Sequence, residues 1–531
     1  MMLGVMEQLI MIIAVLLITV VLVGIGDRTG LPWPVLLTLS TAAIVFVPWI
    51  PDFRIAPDII LPIFLPPLLW ALARKTSWSM FRARWRTILG FSVLLVAVTV
   101  IAVALTAWIL VPGIAIAAAI ALGAAVAPPD PVAVEAVAEP VGLPRRLTGL
   151  LQTEGLFNDA ASLVIFQTAL AATLGDEQFL FGPLVVHFFV SSAIAVALGL
   201  TVGWVGIALT RWLNSSVGRI ALTMVLPFAV YLLAEELHAS GVIAVVVASV
   251  HMASTPDIYD ADDRITATSF WGVIDVLVTG LAFALIGLEL RDVIDAAGTQ
   301  LLTIAAWGVV ISVVLIAVRA LWMVMVWQMH RRKAPASSPR DIRDAVLLTW
   351  SGMRGLVTLA LALSLPQTFA WRTEFLVIAS VVLVVTMIVP GLTLPWLVRT
   401  LKLADTSEDE KERDMLVARA RGAAVASLRE ALDKVPDGVK GDAREMLNQF
   451  SQARSGGVEG ELASSADAPV ESVRAWKRHR DALARVQSRA IEQAQREILD
   501  ARSEPGVDPH LADSVIEELD RMMLSRNPRD H

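Results

Sequence analysis

The sequence predicts an all-α polytopic membrane protein: about thirteen transmembrane helices in two inverted six-helix repeats, with two broken, crossing helices, then a helical cytosolic tail. Three observations predict it. Hydrophobic residues make up 56% and charged residues 18% of the 531, with a mean hydropathy of +0.67, far more apolar than a soluble globular chain. Apolar runs long enough to span a bilayer recur from residue 8 to residue 399, joined by loops whose basic charge alternates. Carboxylates and prolines interrupt several of those runs where a lipid-spanning helix should be unbroken.

The runs lie near 8–26, 31–50, 58–72, 87–111, 113–138, 147–173, 182–210, 217–237, 239–253, 268–289, 301–328, 343–365 and 374–399. The first lacks the basic flank and the cleavage site of a secretory signal and reads as a retained span. The third is short and carries Pro62, Pro66 and Pro67. The eighth and ninth are split only at Glu235-Glu236-Leu237-His238, charges that suit a span end. Odd-numbered loops hold most of the arginine and lysine, including Arg74, Lys75, Arg264 and Arg331-Arg332-Lys333, whereas even-numbered loops hold only Arg54, Arg291 and Arg372. Cytoplasmic loops collect Lys and Arg, so the N-terminus is expected outside and the C-terminus inside. With span seven as a connector, spans 1–6 and 8–13 begin on opposite sides of the membrane, and the broken fifth span matches the broken twelfth.

Residues 1–403 thus form a membrane domain and residues 404–531 a polar tail. The tail opens on the acidic run Ser407-Glu408-Asp409-Glu410 and is broken at Ser455-Gly456-Gly457. Met415 to Asp433 and Pro469 to Ala501 carry apolar residues at helical spacing, the pattern of a helical, self-associating or regulatory extension, the alternative being a solvated and partly disordered one. The chain has no cysteine, which excludes disulfides and thiolate chemistry, and its net charge of −7 argues against nucleic acid as a partner. No phosphate loop and no metal-ligand spacing is present, so no cofactor is expected.

The chemistry is concentrated at three interruptions. Glu154-Gly155-Leu156-Phe157-Asn158-Asp159 sets two carboxylates and an amide inside the sixth run. A charge at that depth costs about 2.5 to 3.5 kcal/mol on insertion scales, so it is seldom present without a task. Pro128-Pro129-Asp130-Pro131 breaks the fifth run, and Gly352-Met353-Arg354-Gly355 breaks the twelfth. Broken helices with mid-membrane charges are the pattern of an ion-coupled transporter. A carboxylate there suits a group that holds either a proton or a hard cation, and Asp159 is the first candidate. Asn158 is placed to orient it. Asp130, between two prolines, is expected to lie beside free helix ends, whose dipoles it would balance. Arg354 is a permanent cation that needs a partner, and Glu154 is the expected one. Arg319, in the eleventh run, is either a second buried cation or a snorkelling side chain. Glu135, one turn beyond Asp130, either draws cations into a funnel or ends a solvated helix. An intramembrane hydrolase built on an Asp130/Asp159 dyad would require the two carboxyls to share a proton, and nothing around them resembles known intramembrane proteases.

Glu154-Gly-Leu-Phe-Asn-Asp159, Pro-Pro-Asp130-Pro-Val-Ala-Val and Gly-Met-Arg354-Gly-Leu-Val, with Phe283-Ala-Leu-Ile-Gly-Leu and Ser240-Gly-Val-Ile-Ala-Val-Val, together resemble the monovalent cation:proton antiporter-1 family. These are bacterial sodium/proton antiporters akin to animal sodium/proton exchangers. The resemblance covers roughly residues 8–400. It implies a homodimer of thirteen-span protomers in the bacterial cytoplasmic membrane, whose core moves by elevator-like displacement to exchange Na⁺, with Li⁺ or K⁺ as alternatives, for H⁺. It also implies that Asp159 binds cation and proton, that Asn158 is its neighbour, that Asp130 is a second acid on the Na⁺ and that Glu154 pairs with Arg354. A single Asp preceded by Asn implies electroneutral exchange. Three positions depart from the family pattern: Pro129 stands where relatives often have Thr, Gly155 where they have Ser, and Ala71 where some have Glu. Each departure removes an oxygen ligand, for which water or backbone carbonyls must substitute.

Overall fold

The computed structural model describes residues 2–44, 57–76, 78, 82, 89–141, 143, 145–155, 158–175, 181–255, 259–330, 339–403, 407–432, 470–502, 504, 507 and 509–526. Leu156, Phe157, the basic cluster Arg331-Arg332-Lys333 and the Ser455-Gly456-Gly457 break lie outside them. The described elements are helical throughout. In chain order they are α1 (Met2–Thr29), α2 (Trp33–Ile44), α3 (Pro57–Ala73), α4 (Leu95–Leu110), α5 (Ile116–Val126), α6 (Pro131–Val141), α7 (Arg145–Gly155), α8 (Asn158–Leu174), α9 (Phe181–Trp212), α10 (Ser216–Glu236) and α11 (Gly241–Ala253). There follow α12 (Ala261–Leu288), α13 (Leu290–Ala297), α14 (Leu301–His330), α15 (Ile342–Trp350), α16 (Leu356–Leu363), α17 (Arg372–Leu383), α18 (Val389–Leu401), α19 (Ser407–Leu432), α20 (Val470–Arg502) and α21 (Pro509–Arg526).

Seven of the described helical stretches are long and apolar enough to cross a membrane, and Trp33–Ile44, Ile60–Ala73 and Gly241–Ala253 are shorter apolar helices. The chain is a multi-pass membrane protein. Lipid gives no hydrophobic drive between helices, so close backbone approach and polar bonds hold them together. On α12 the approach is tight at Gly287, where an added Cβ would stand 2.1 Å from Thr41 Oγ1 of α2. The Thr38 hydroxyl donates to Phe283 O at 3.1 Å across the same contact.

Two apolar cores fill the membrane part. One joins α4, α5 and α8 to α14, α16 and α17 around Leu122, Phe166, Ile311 and Phe375. The other packs α3 against α10 and α11 around Trp70, Val230 and Val246.

Helix starts differ from the apolar runs where polar caps extend them. The tenth run begins at 268 in the sequence, yet α12 starts at Ala261 because Asp263 reaches back to Asp260 N at 3.1 Å and binds Arg219 at 2.7 Å. Two π-helical turns, Leu89–Leu94 before α4 and Val384–Ile388 between α17 and α18, have no compositional signature. The tail holds a third helix, α21, in addition to the two expected. Leu416, Leu428, Ile498 and Ile516 close α19, α20 and α21 into their own core.

Candidate ion-binding site

The break after α5 follows from Pro128, Pro129 and Pro131, which remove backbone donors and bias each preceding residue away from helical geometry. Pro131 is the first residue of α6, where a missing N–H does no harm. Asp130 caps that helix: its Oδ1 accepts from Val132 N at 2.9 Å and Ala133 N at 3.3 Å. The same carboxylate lies against the start of α16, with Oδ2 1.6 Å from where a Cβ on Gly355 would stand. One carboxylate therefore meets the positive ends of two broken helices.

The second break, between α15 and α16, crosses the first. Asp130 N donates to Met353 O at 2.7 Å, and Arg354 Nε donates to Val126 O at 2.9 Å. Arg354 thus places its cation on the negative end of α5 and also bonds Gly352 O. Anion on helix starts and cation on helix ends make the crossing electrostatically closed. Gly355 is what lets it close: an added Cβ would lie 1.6 Å from Asp130 Oδ2.

Asp159 lies in the first turn of α8, buried beside this crossing and within electrostatic reach of Asp130. Asn158 fixes it there, donating from Nδ2 to Pro129 O at 2.7 Å and accepting from Asp159 N at 2.7 Å. The amide therefore holds backbone and leaves the acid side chain alone. Among the described residues the Asp159 carboxylate makes no hydrogen bond and no ion pair. Ser162, one turn on, donates to Ala124 O at 2.5 Å and ties α8 to α5.

The expected pairing of Glu154 with Arg354 is corrected. Glu154 takes both arms of Arg319, Nη1 to Oε1 at 2.5 Å and Nη2 to Oε2 at 2.8 Å, with both side chains buried. Arg319 comes from the middle of α14, and its Nε donates to Leu348 O at 2.9 Å. The fork geometry of a guanidinium matches a carboxylate, and Arg354 has no such fit because it is spent on Val126 O and Gly352 O. Arg319 is accordingly a buried cation, not a snorkelling one. Gly352 makes room for this pair: a Cβ there would sit 2.4 Å from Arg319 Cδ, a contact that nothing in the sequence announces. Gly155 has a packing reason too, since a Cβ would stand 2.4 Å from Pro131 Cγ. Glu135 is ion-paired to Lys75 at the end of α3. No group of three or more His, Cys, Asp or Glu suited to a metal ion occurs among the described residues.

The model of the family described as "Sodium/hydrogen exchanger, transmembrane" matches residues 12–400. The chain belongs to this family. It is 30% identical to the uncharacterized Na⁺/H⁺ exchanger Rv2287 of Mycobacterium tuberculosis over 98% of this chain and 96% of that one. It is also 30% identical to the low-affinity Na⁺/H⁺ antiporter NhaS1 of Synechocystis, over 77% of each. The solved sodium proton antiporter MjNhaP1 of Methanocaldococcus jannaschii aligns with a TM-score of 0.58 at 17% identity, covering 75% of this chain and 98% of that one. At that identity the likeness is one of fold. Among sodium/hydrogen exchangers this chain therefore has relatives along nearly its full length, tail included.

Proposed function

We propose that this sodium/hydrogen exchanger carries Na⁺ in one direction and H⁺ in the other through alternating occupancy of Asp159. It is a secondary transporter, and its exchange serves sodium tolerance and pH control. The observation that carries the reading is the contrast between the two neighbouring acids. Asp130 caps one helix start and lies against a second, whereas Asp159 is buried with no internal partner among the described residues. A buried carboxylate without a partner is costly when ionised, so a proton or a cation stabilises it, and either occupant displaces the other.

Asn158 positions Asp159. Asp130 is the second acid of the Na⁺ site, supplying fixed negative charge while it caps the crossing. Glu154 and Arg319 brace α7 against α14. Na⁺ is the first cation, with Li⁺ or K⁺ as alternatives; Pro129, Gly155 and Ala71 offer no side-chain oxygen, so backbone carbonyls and water complete the shell.

The coincidence of the helices with the apolar runs supports thirteen spans in two inverted six-helix repeats, with α5/α6 and α15/α16 as the matched broken pair. The basic loops support an outer N-terminus and a cytoplasmic tail at residues 404–531, in a bacterial cytoplasmic membrane. The resemblance supports one-for-one electroneutral exchange by a homodimer. The test is cation-driven proton flux in proteoliposomes after a pH jump: Asp159→Asn abolishes it, and undiminished flux would remove Asp159 from the carrier role.

A further inference from the structure

A cavity of about 390 Å³ lies where the tail meets the membrane part, between the ends of α3 and α11, the first turns of α10 and α12, and the tail helices α20 and α21. Two ion-pair networks join its tail side to its membrane side. Arg264 of α12 grips Asp520 of α21 with Nε at 2.8 Å and Nη2 at 2.5 Å, and Gln495 donates to the same carboxylate at 2.6 Å. Arg502 of α20 binds Asp513 at 2.7 Å and donates to Ala253 O, the end of α11, at 3.1 Å.

The charged side chains around this chamber are in contact pairs except at one wall. Arg264 is met by Asp520, Arg502 by Asp513, Lys75 by Glu135, and Glu517 by Arg521. Arg74 is left over. It lies over the Trp271 ring at 6.0 Å and makes one long bond, 3.5 Å, to Ala267 O. No carboxylate of the described residues lies within 4.0 Å of it. The rest of the lining is mostly apolar, with Trp70, Ile220, Met252, Ile265 and Ile516 among it. The volume falls within the roughly 300–1,000 Å³ usual for small-molecule sites.

A guanidinium with no carboxylate in contact, set in a mostly apolar chamber, disfavours two classes of occupant. A cation would meet the excess positive charge, and a small inorganic anion would leave the apolar walls wet. We propose that the cavity binds an amphiphilic anion, an alkyl body ending in an anionic oxygen, with Arg74 on the anion and the Trp70 and Ile516 walls on the body. Because α20 and α21 form one side of the chamber, occupancy fastens the tail to α3 and α12. The site lies apart from Asp159, and its binding test is independent of transport.

The same chemistry is carried by a free acyl carboxylate and by a phospholipid headgroup, so the test has two arms, both on the full chain in phosphatidylcholine nanodiscs. In the first, equilibrium dialysis measures saturable laurate binding with empty nanodiscs subtracted and dodecanol as the neutral isostere. In the second, thermal unfolding is compared with and without phosphatidylglycerol in the disc. Laurate binding that exceeds dodecanol binding, falls about tenfold or more in Arg74→Gln and is blocked by Ala267→Phe supports a free amphiphile. Stabilisation by phosphatidylglycerol alone, lost in the same variants, supports the lipid headgroup. Should Arg74→Gln not fold, Ala267→Phe and the charge-retaining Arg74→Lys decide. No saturable effect in either arm, or effects indifferent to these substitutions, overturns the proposal.

Discussion

Arg319 and Glu154 form a bidentate, buried ion pair, with both guanidinium arms on the two carboxylate oxygens, across 165 residues of sequence. It fastens α7, the helix leading to Asp159, to the middle of α14. Removing one member leaves an uncompensated charge, at a cost of about 3–5 kcal/mol. A double-mutant cycle on unfolding in detergent, with Glu154→Gln and Arg319→Gln, is expected to give a coupling of about 2 kcal/mol. The cycle of Glu154 with Arg354→Gln gives a clearly smaller one. Equal couplings would contradict the pairing.

Gly355 stands where no side chain fits, with Asp130 Oδ2 1.6 Å from the place of its Cβ. Gly355→Ala must push the two broken helices apart and is expected to destabilise the fold by about 3 kcal/mol. Gly272→Ala is the control, because nothing lies within 4 Å of that Cβ and alanine suits a helix. Thermal unfolding of both variants checks the pair: a large loss for Gly355→Ala only is expected.

Asp130 has a structural and an electrostatic part that substitution separates. Asp130→Asn keeps an acceptor oxygen for Val132 and Ala133, so the protein folds with near-native stability while the apparent KM for Na⁺ rises. Asp130→Ala loses the cap and lowers stability by about 1–2 kcal/mol. Melting curves beside flux kinetics distinguish the two; an unchanged KM in the Asn variant would remove Asp130 from the ion site.

Much of this was legible in the sequence, and what was not has physical causes. The helix positions could be read because lipid imposes a length and an apolar composition on each span. The two breaks were visible because Pro128, Pro129 and Pro131, and Gly352 and Gly355, are local signals. That Arg319 and not Arg354 meets Glu154 was hidden, since pairing depends on which helices become neighbours and the motif glycine pointed to the arginine beside it. Likewise adjacency in sequence points Asn158 at the Asp159 carboxyl, whereas a contact to Pro129 O, 29 residues away, engages its amide. Helix α21 carries Leu511, Val515, Ile516 and Leu519 at helical spacing, but they are interleaved with Asp513, Glu517, Glu518 and Asp520, and the core they complete is supplied by α19 and α20.

The tail is held to the membrane part by Arg264 and Asp520. The chain has no cysteine, so Thr266→Cys and Arg521→Cys can carry spin labels without background. Arg264→Ala is expected to lengthen and broaden their distance distribution. A distribution that stays narrow would show that the ion pair is not what fixes the tail.

Mutual exclusion of Na⁺ and H⁺ at Asp159 is tested most directly by counting protons released when Na⁺ binds. Calorimetric titration of the purified protein with Na⁺, repeated in buffers of different ionisation enthalpy at a pH where Asp159 is protonated, reports that number. Exchange at one carboxylate predicts about one proton released per Na⁺ bound, and none in Asp159→Asn. Na⁺ binding with no proton release from the wild-type protein, or with the same release from the variant, would contradict it.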